Sequence, residues 1–140
     1  MDIGDSLEQI FDSSDLFGDS FYELFLTTYP DVQRYFEGVD MNRQAVMLTM
    51  ALTIVEQYAS SKYPATKKYL QHLGVVHHER GIPRDLYEQW RDAMLETLFQ
   101  FHGDDWDEHL ATQWREAIEM AIEVMLEGYE QNVENMAAMS

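Results

Sequence analysis

Residues 73–83 read LGVVHHERGIP, two adjacent histidines in a helix-like run that Gly81 and Pro83 bring to an end. Neighbouring residues on a helix point about 100° apart, so His77 and His78 cannot serve the same face. One of them turns inward on an otherwise apolar helix, and what it meets there decides the fold. Zinc is a poor answer. His72, His77, His78 and Glu79 cluster in sequence, but the spacing of five from His72 to His77 does not converge on a tetrahedral site. The acidic run DDWDEH at 104–109 lacks the alternating oxygen ligands and central glycine of a calcium loop and reads as a solvated helix start.

The rest of the chain surrounds this run with helices. Apolar residues recur at intervals of three and four, and Met, Leu, Glu, Gln and Ala outweigh the β-branched residues. Phe17, Phe21, Leu24 and Phe25 form one stripe that ends before Tyr29-Pro30, and the turn DVQRYF follows. Gln44, Met47, Leu48, Ala51, Leu52, Val55 and Tyr58 form a second face, N-capped by Asp40. A third helix runs from about Pro83, with Leu86, Trp90, Ala93, Met94, Thr97 and Phe101 inward, and stops at HGDD. In the fourth, Trp114, Ile118, Ala121, Ile122, Met125 and Tyr129 line up while the glutamates face outward. Shorter helices are expected over Ser6–Asp12 and Ala65–Glu79, and a short polar tail from about residue 130. Core packing accounts for nearly all of these stripes. It does not account for Gln44 in an inward slot or for Tyr22 beside Phe21, where an unpaired amide or hydroxyl would be costly.

The chain has 140 residues, enough for one domain, expected to span 1–140, with a hydrophobic core. Its formal charge is −17, from 9 basic and 26 acidic residues, which disfavours phosphate backbones and anionic lipid as partners. The absence of cysteine removes disulfides, thiolate metal sites, iron–sulfur clusters and covalent haem attachment. The acidic N-terminus MDIGDSLEQI lacks the bases and apolar core of a signal peptide, and no apolar run is long enough to span a bilayer. A soluble, cytoplasmic protein is expected. An inward histidine and a polar pair in a cysteine-free helical domain suggest a ligand to haem iron.

From about Ser6 to Tyr129 the chain resembles the bacterial single-domain globins, relatives of flavohaemoglobin globin domains and globin-coupled sensors. FYELFLTTYPDVQRYF is similar to the globin B helix and C turn, which makes Pro30 the turn proline and Phe36 the phenylalanine that packs on haem. LGVVHHERGI is similar to the F helix, whose proximal histidine is followed by a glycine four positions on; by that spacing His77 is the iron ligand and His78 is not. Tyr87, ten residues after His77, matches the tyrosine that opens the next helix. The resemblance makes Tyr22 the B-helix tyrosine of the distal pocket, with Gln44 and Leu48 the E-helix glutamine and leucine. Trp90, one turn beyond Tyr87, stands where many relatives have a smaller residue; either it adds a third donor to the pocket or it is a core tryptophan satisfied elsewhere.

What the resemblance implies is an all-α globin fold, a three-over-three helical sandwich, holding non-covalent haem b (iron protoporphyrin IX). The iron would be pentacoordinate or weakly hexacoordinate and bind O2, and also CO and NO, reversibly, for oxygen binding, storage or scavenging. Alternatives are NO dioxygenation with a separate reductase, gas or redox sensing in trans, and a haem-free globin-like interaction module; that last group generally lacks a proximal histidine. No residue is assigned a catalytic role, and either a monomer or a homodimer is compatible. In flavohaemoglobin-like relatives a tyrosine and a glutamate of the last helix support the proximal histidine; here Tyr129 falls near the glutamate slot, with Glu127 and Glu130 beside it. His78 is expected to meet solvent or a haem propionate, His72 to be exposed, and His102 and His109 to flank the acidic turn. Arg80, Lys67 and Lys68 are candidate partners for the propionates.

Overall fold

The computed structural model describes all 140 residues and contains helices and no strand. Helix α1 spans Ile3–Asp12, α2 Ser14–Thr28, α3 Met41–Ser61, α4 Pro64–Glu79, α5 Leu86–His102 and α6 Glu108–Ala138. A 3-10 helix over Pro30–Phe36 joins α2 to α3, and a shorter one over Gly103–Asp105 joins α5 to α6. α3 adjoins both α1 and α4 in one layer, and α5 adjoins both α2 and α6 in the other. The expected three-over-three sandwich is therefore the fold.

Local chemistry sets the helix ends. Asp2 caps α1 in a reciprocal box with Asp5, so the helix starts at Ile3, earlier than the apolar pattern indicated. Asp40 accepts from the backbone N–H groups of Asn42 and Arg43 and caps α3 as expected. Pro64 opens α4 at the position where its missing N–H costs nothing. After α4 the chain reverses through Gly81 at φ +73°, a conformation that suits glycine. For that reason α5 begins at Leu86 and not at about Pro83.

Two further expectations are corrected. The residues from 130 are not a tail: α6 continues through Asn132, Glu134 and Met136 to Ala138, a stretch of adequate helix formers whose polarity hides a solvated helix. Met47, expected in the α3 stripe, is 49% exposed. The core is built from Phe17, Phe21, Phe25, Leu52, Met94, Leu98, Ile118 and Trp114, all essentially sealed from solvent. Truncating a core tryptophan such as Trp114 to alanine typically costs about 3–5 kcal/mol.

The tightest helix contact is α4 against α6. A Cβ on Gly74 would overlap the backbone carbonyl of Met125, and one on Gly128 the carbonyl of Gln71. Two glycines in helix interiors each forgo about 0.5–1 kcal/mol relative to alanine. Here they let two backbones touch, and α4 is fixed on α6 where it carries the paired histidines.

Candidate functional site

His77 lies in the last turns of α4 and is half-buried. Its Nδ1 is 2.8 Å from the hydroxyl of Tyr87, the rings meeting edge to face at 5.6 Å. Burial, helped by the nearby charge of Arg80, pulls the His77 pKa down to about 4, so the imidazole is neutral at physiological pH. Its Nε2 makes no hydrogen bond and is not sealed from solvent. Such a ring, fixed at one nitrogen and free at the other, is the usual state of a metal-ligating histidine.

The loop that follows is tied down behind it. Ile82 donates its N–H to the His77 carbonyl at 3.0 Å, and Tyr129 of α6 donates its hydroxyl to the Ile82 carbonyl at 2.7 Å. Tyr129 also packs edge-on against Tyr87 at 6.1 Å. Burial, and secondarily Tyr129, push the Tyr87 pKa upward, so its phenol stays protonated. No carboxylate joins this set: Glu127 accepts from Gln71, and Glu130 pairs with Arg84. The His77 support is thus two phenols and no acid.

Tyr22 and Gln44, singled out as polar residues in apolar slots, are bonded to each other. Gln44 Nε2 donates to the Tyr22 hydroxyl oxygen at 3.2 Å. Tyr22 is 7% exposed and wedged edge-on between Phe21 at 4.9 Å and Phe36 at 5.4 Å. Burial pushes its pKa to about 12 against the opposing pull of the Gln44 bond, so it is a neutral donor. Because its oxygen accepts from the amide, the phenolic proton is left to donate elsewhere. Leu48, one turn after Gln44, is buried.

Helix α5 joins the two groups. Tyr87 touches His77, and one turn on Trp90 packs on Phe21 at 5.9 Å, next to Tyr22. The Trp90 indole N–H has no protein partner and is not sealed in the core. His77, Tyr87, Trp90, Tyr22, Phe36, Gln44 and Leu48 thus belong to one connected region, with the histidine at one end and the phenol–amide pair at the other.

Asn132 bonds the Nδ1 of His78 at 2.8 Å, and the His78 ring packs on Tyr129 at 5.0 Å. His102 does more than flank the acidic turn. It is buried, stacked on Trp106, and its Nε2 lies 2.5 Å from Ser6 Oγ, which also accepts from the indole of Trp114 at 2.9 Å. Arg80, Lys67, Lys68, His72 and His109 are exposed. The signal for Gly74 and Gly128 was available, since a glycine inside a helical pattern calls for a packing reason; Ser6 and His102 gave none, being 96 residues apart.

A two-layer helical sandwich with His77 held neutral on one helix and a bonded phenol–amide pair on two others is an arrangement of the haem-protein class. The globin family model matches residues 19–125, and the chain belongs to the globin family. Among solved structures it is similar to a protein of Pseudomonas aeruginosa PAO1 described as structurally highly homologous to a human haemoglobin, with 27% identity and a TM-score of 0.77, over 91% of this chain and 98% of that one. No curated protein matches the chain. Membership of the family implies haem and small gaseous ligands. No helix is long and apolar enough to cross a membrane.

Proposed function

We propose that this chain, as one globin domain over residues 1–140, holds haem b through His77 and binds O2 reversibly, with CO and NO as competing ligands, for oxygen binding, storage or scavenging in the cytoplasm. The observation that carries this reading is the His77 ring, neutral and fixed by Tyr87 with its Nε2 uncommitted. Haem iron, when bound, supplies an open coordination position for a diatomic gas. For Nε2 to offer its lone pair, Nδ1 must carry the proton and donate it to the Tyr87 oxygen, and the raised Tyr87 pKa keeps that acceptor a neutral phenol. The support for His77 is therefore a weak one, suited to reversible ligand binding.

Tyr22 would donate its O–H to a ligand that gathers negative charge, and Gln44, bonded to the same oxygen, would hold the phenol in place. Phe36 and Leu48 supply apolar walls, and Trp90 an additional N–H. The fit to haem rests on these donors and on the uncommitted Nε2 of His77.

The test is the visible spectrum of purified protein in ferric, reduced and gas-exposed forms, together with two variants. His77→Ala is expected to abolish haem retention and the Soret band. His78→Ala loses the bond to Asn132 and the packing on Tyr129, and is expected to keep both haem and Soret band. The opposite pairing of results would overturn the assignment.

A further inference from the structure

Most buried polar side chains in this molecule bond back to their own segment: Thr49, Thr66 and Thr97 each donate to a carbonyl three or four residues earlier. Ser6 and His102 are different, because they join α1 to α5. Ser6 is wholly buried, and its Oγ accepts the Trp114 indole N–H, so its own proton goes to His102 Nε2. His102 is thereby the tautomer that carries hydrogen on Nδ1, and that atom is buried with no partner. A second proton has no place on this ring. It would make Nε2 a donor toward Ser6, leave the serine hydroxyl without an acceptor, and bury a cation. The residues gathered at the ring carry no charge: Ser6 from α1, Phe101 from α5, Trp106 from the turn before α6 and, through Ser6, Trp114 from α6. Asp105 is the one charged group that acts on it, and burial outweighs it, holding the His102 pKa below 6.5.

α1 is lightly attached. It joins α2 through Ser13 alone, a residue outside both helices that gives α2 no side-chain cap. Leu7 and Ile10 are its buried apolar residues, and its second polar tie is the Ile3 N–H, donated to Gln113 Oε1 at 3.1 Å. We propose that α1 is a proton-operated latch, which Ser6 holds shut on neutral His102 and Trp114 and which protonation of His102 releases about a hinge at Ser13. Once released, ten residues are too few to remain helical in water. The sign follows from the burial. His102 in the open form titrates near 6.5 like an ordinary histidine, and in the closed form lower. Above pH 6.5 the latch keeps its full strength. Between 6.5 and the lowered value opening takes up one proton, so the opening equilibrium rises by up to about tenfold per pH unit and levels off below. The inference does not depend on haem, since His102 lies at the far end of α5 from Tyr87 and the His77 region.

Hydrogen exchange of the full chain in low urea, followed residue by residue across the neutral and mildly acid range, tests it. Amides from Leu7 to Asp12 are expected to exchange through an opening with much weaker urea dependence than global unfolding. That opening should become up to about tenfold more frequent per pH unit below 6.5. His102→Gln, which keeps a polar group near Ser6, should retain the local opening and remove its pH dependence. Circular dichroism verifies that the variant is folded. Ring-proton NMR of the parent chain needs no variant: His102 should titrate below 6.5. An α1 that exchanges only with the whole molecule would overturn the proposal, as would a local opening indifferent to pH or one whose pH dependence survives His102→Gln. So would a His102 that titrates at or above 6.5 in the folded chain.

Discussion

Replacing Gly74 with alanine sets two effects of known size against each other. Alanine is the better helix former, and within α4 the exchange gains about 1 kcal/mol. Against this, the new methyl would overlap the Met125 carbonyl, with the backbone N–H of Tyr129 also within 3 Å. Those atoms belong to a helix backbone and cannot rotate aside as the end of a side chain would. α4 and α6 must separate by more than an ångström, loosening Leu70, Val124 and Met125, all now buried. Overpacking of this kind costs about 1–3 kcal/mol when side chains can yield, and the upper end or more is appropriate here. The net expectation is a loss of about 2 kcal/mol, roughly 5–8 °C in Tm for a chain of this size. Urea unfolding followed by circular dichroism gives the value directly, with an unchanged m-value as the sign that only stability moved. A variant as stable as the parent, or more stable, would refute the claim that the glycines set the helix separation. The same displacement moves His77, so haem loss should accelerate along with it.

Tyr22→Phe removes the hydroxyl that accepts from Gln44 and is expected to raise the oxygen dissociation rate about 10–100-fold, the worth of one hydrogen bond to a charged group; flash photolysis or stopped-flow reads it. Tyr129→Phe loses the bond to the Ile82 carbonyl and should cost about 1 kcal/mol in chemical denaturation, with the absorption spectrum unchanged. His102 has a pKa held below 6.5, chiefly by burial with Asp105 opposing, so it is neutral in the folded state. Its contribution to stability is present above pH 6.5 and lost as pH falls through the lowered folded value. His77, at about 4, adds to the same window in haem-free protein. His102→Gln should therefore flatten the fall in apoprotein stability below pH 6.5, measured by urea midpoints, and an unaltered slope would remove His102 from the account.

The helical stripes were legible because core helices repeat their apolar residues at a fixed period, and α2, α3, α5 and α6 all do so. The pairing of Tyr22 with Gln44 was legible as an anomaly, two polar groups in positions that would be costly alone. The role of His78 was not, although the angle between neighbouring residues already turned it away from His77. Its partner Asn132 sits in a stretch whose polarity suggested a tail, and a solvated helix end carries no apolar stripe. Ser6 and His102 are ordinary residues until α1 folds across the end of α5. The hydrogen bond that defines them is a tertiary event with no local trace.

The three indoles occupy three different settings. Trp114 is wholly sealed and bonded to Ser6, Trp106 is half-exposed on the stacked face of His102, and Trp90 stands beside Phe21 in the region assigned to the cofactor. The molecule consequently carries its own optical gauge. In haem-free protein Trp106 should follow the docking of the turn before α6 and Trp114 should shift to the red when α1 parts from the core, while haem binding at the proposed site should quench Trp90 most strongly. Single-tryptophan versions would resolve cofactor loss, local opening and global unfolding as separate events in one melt, without an added label.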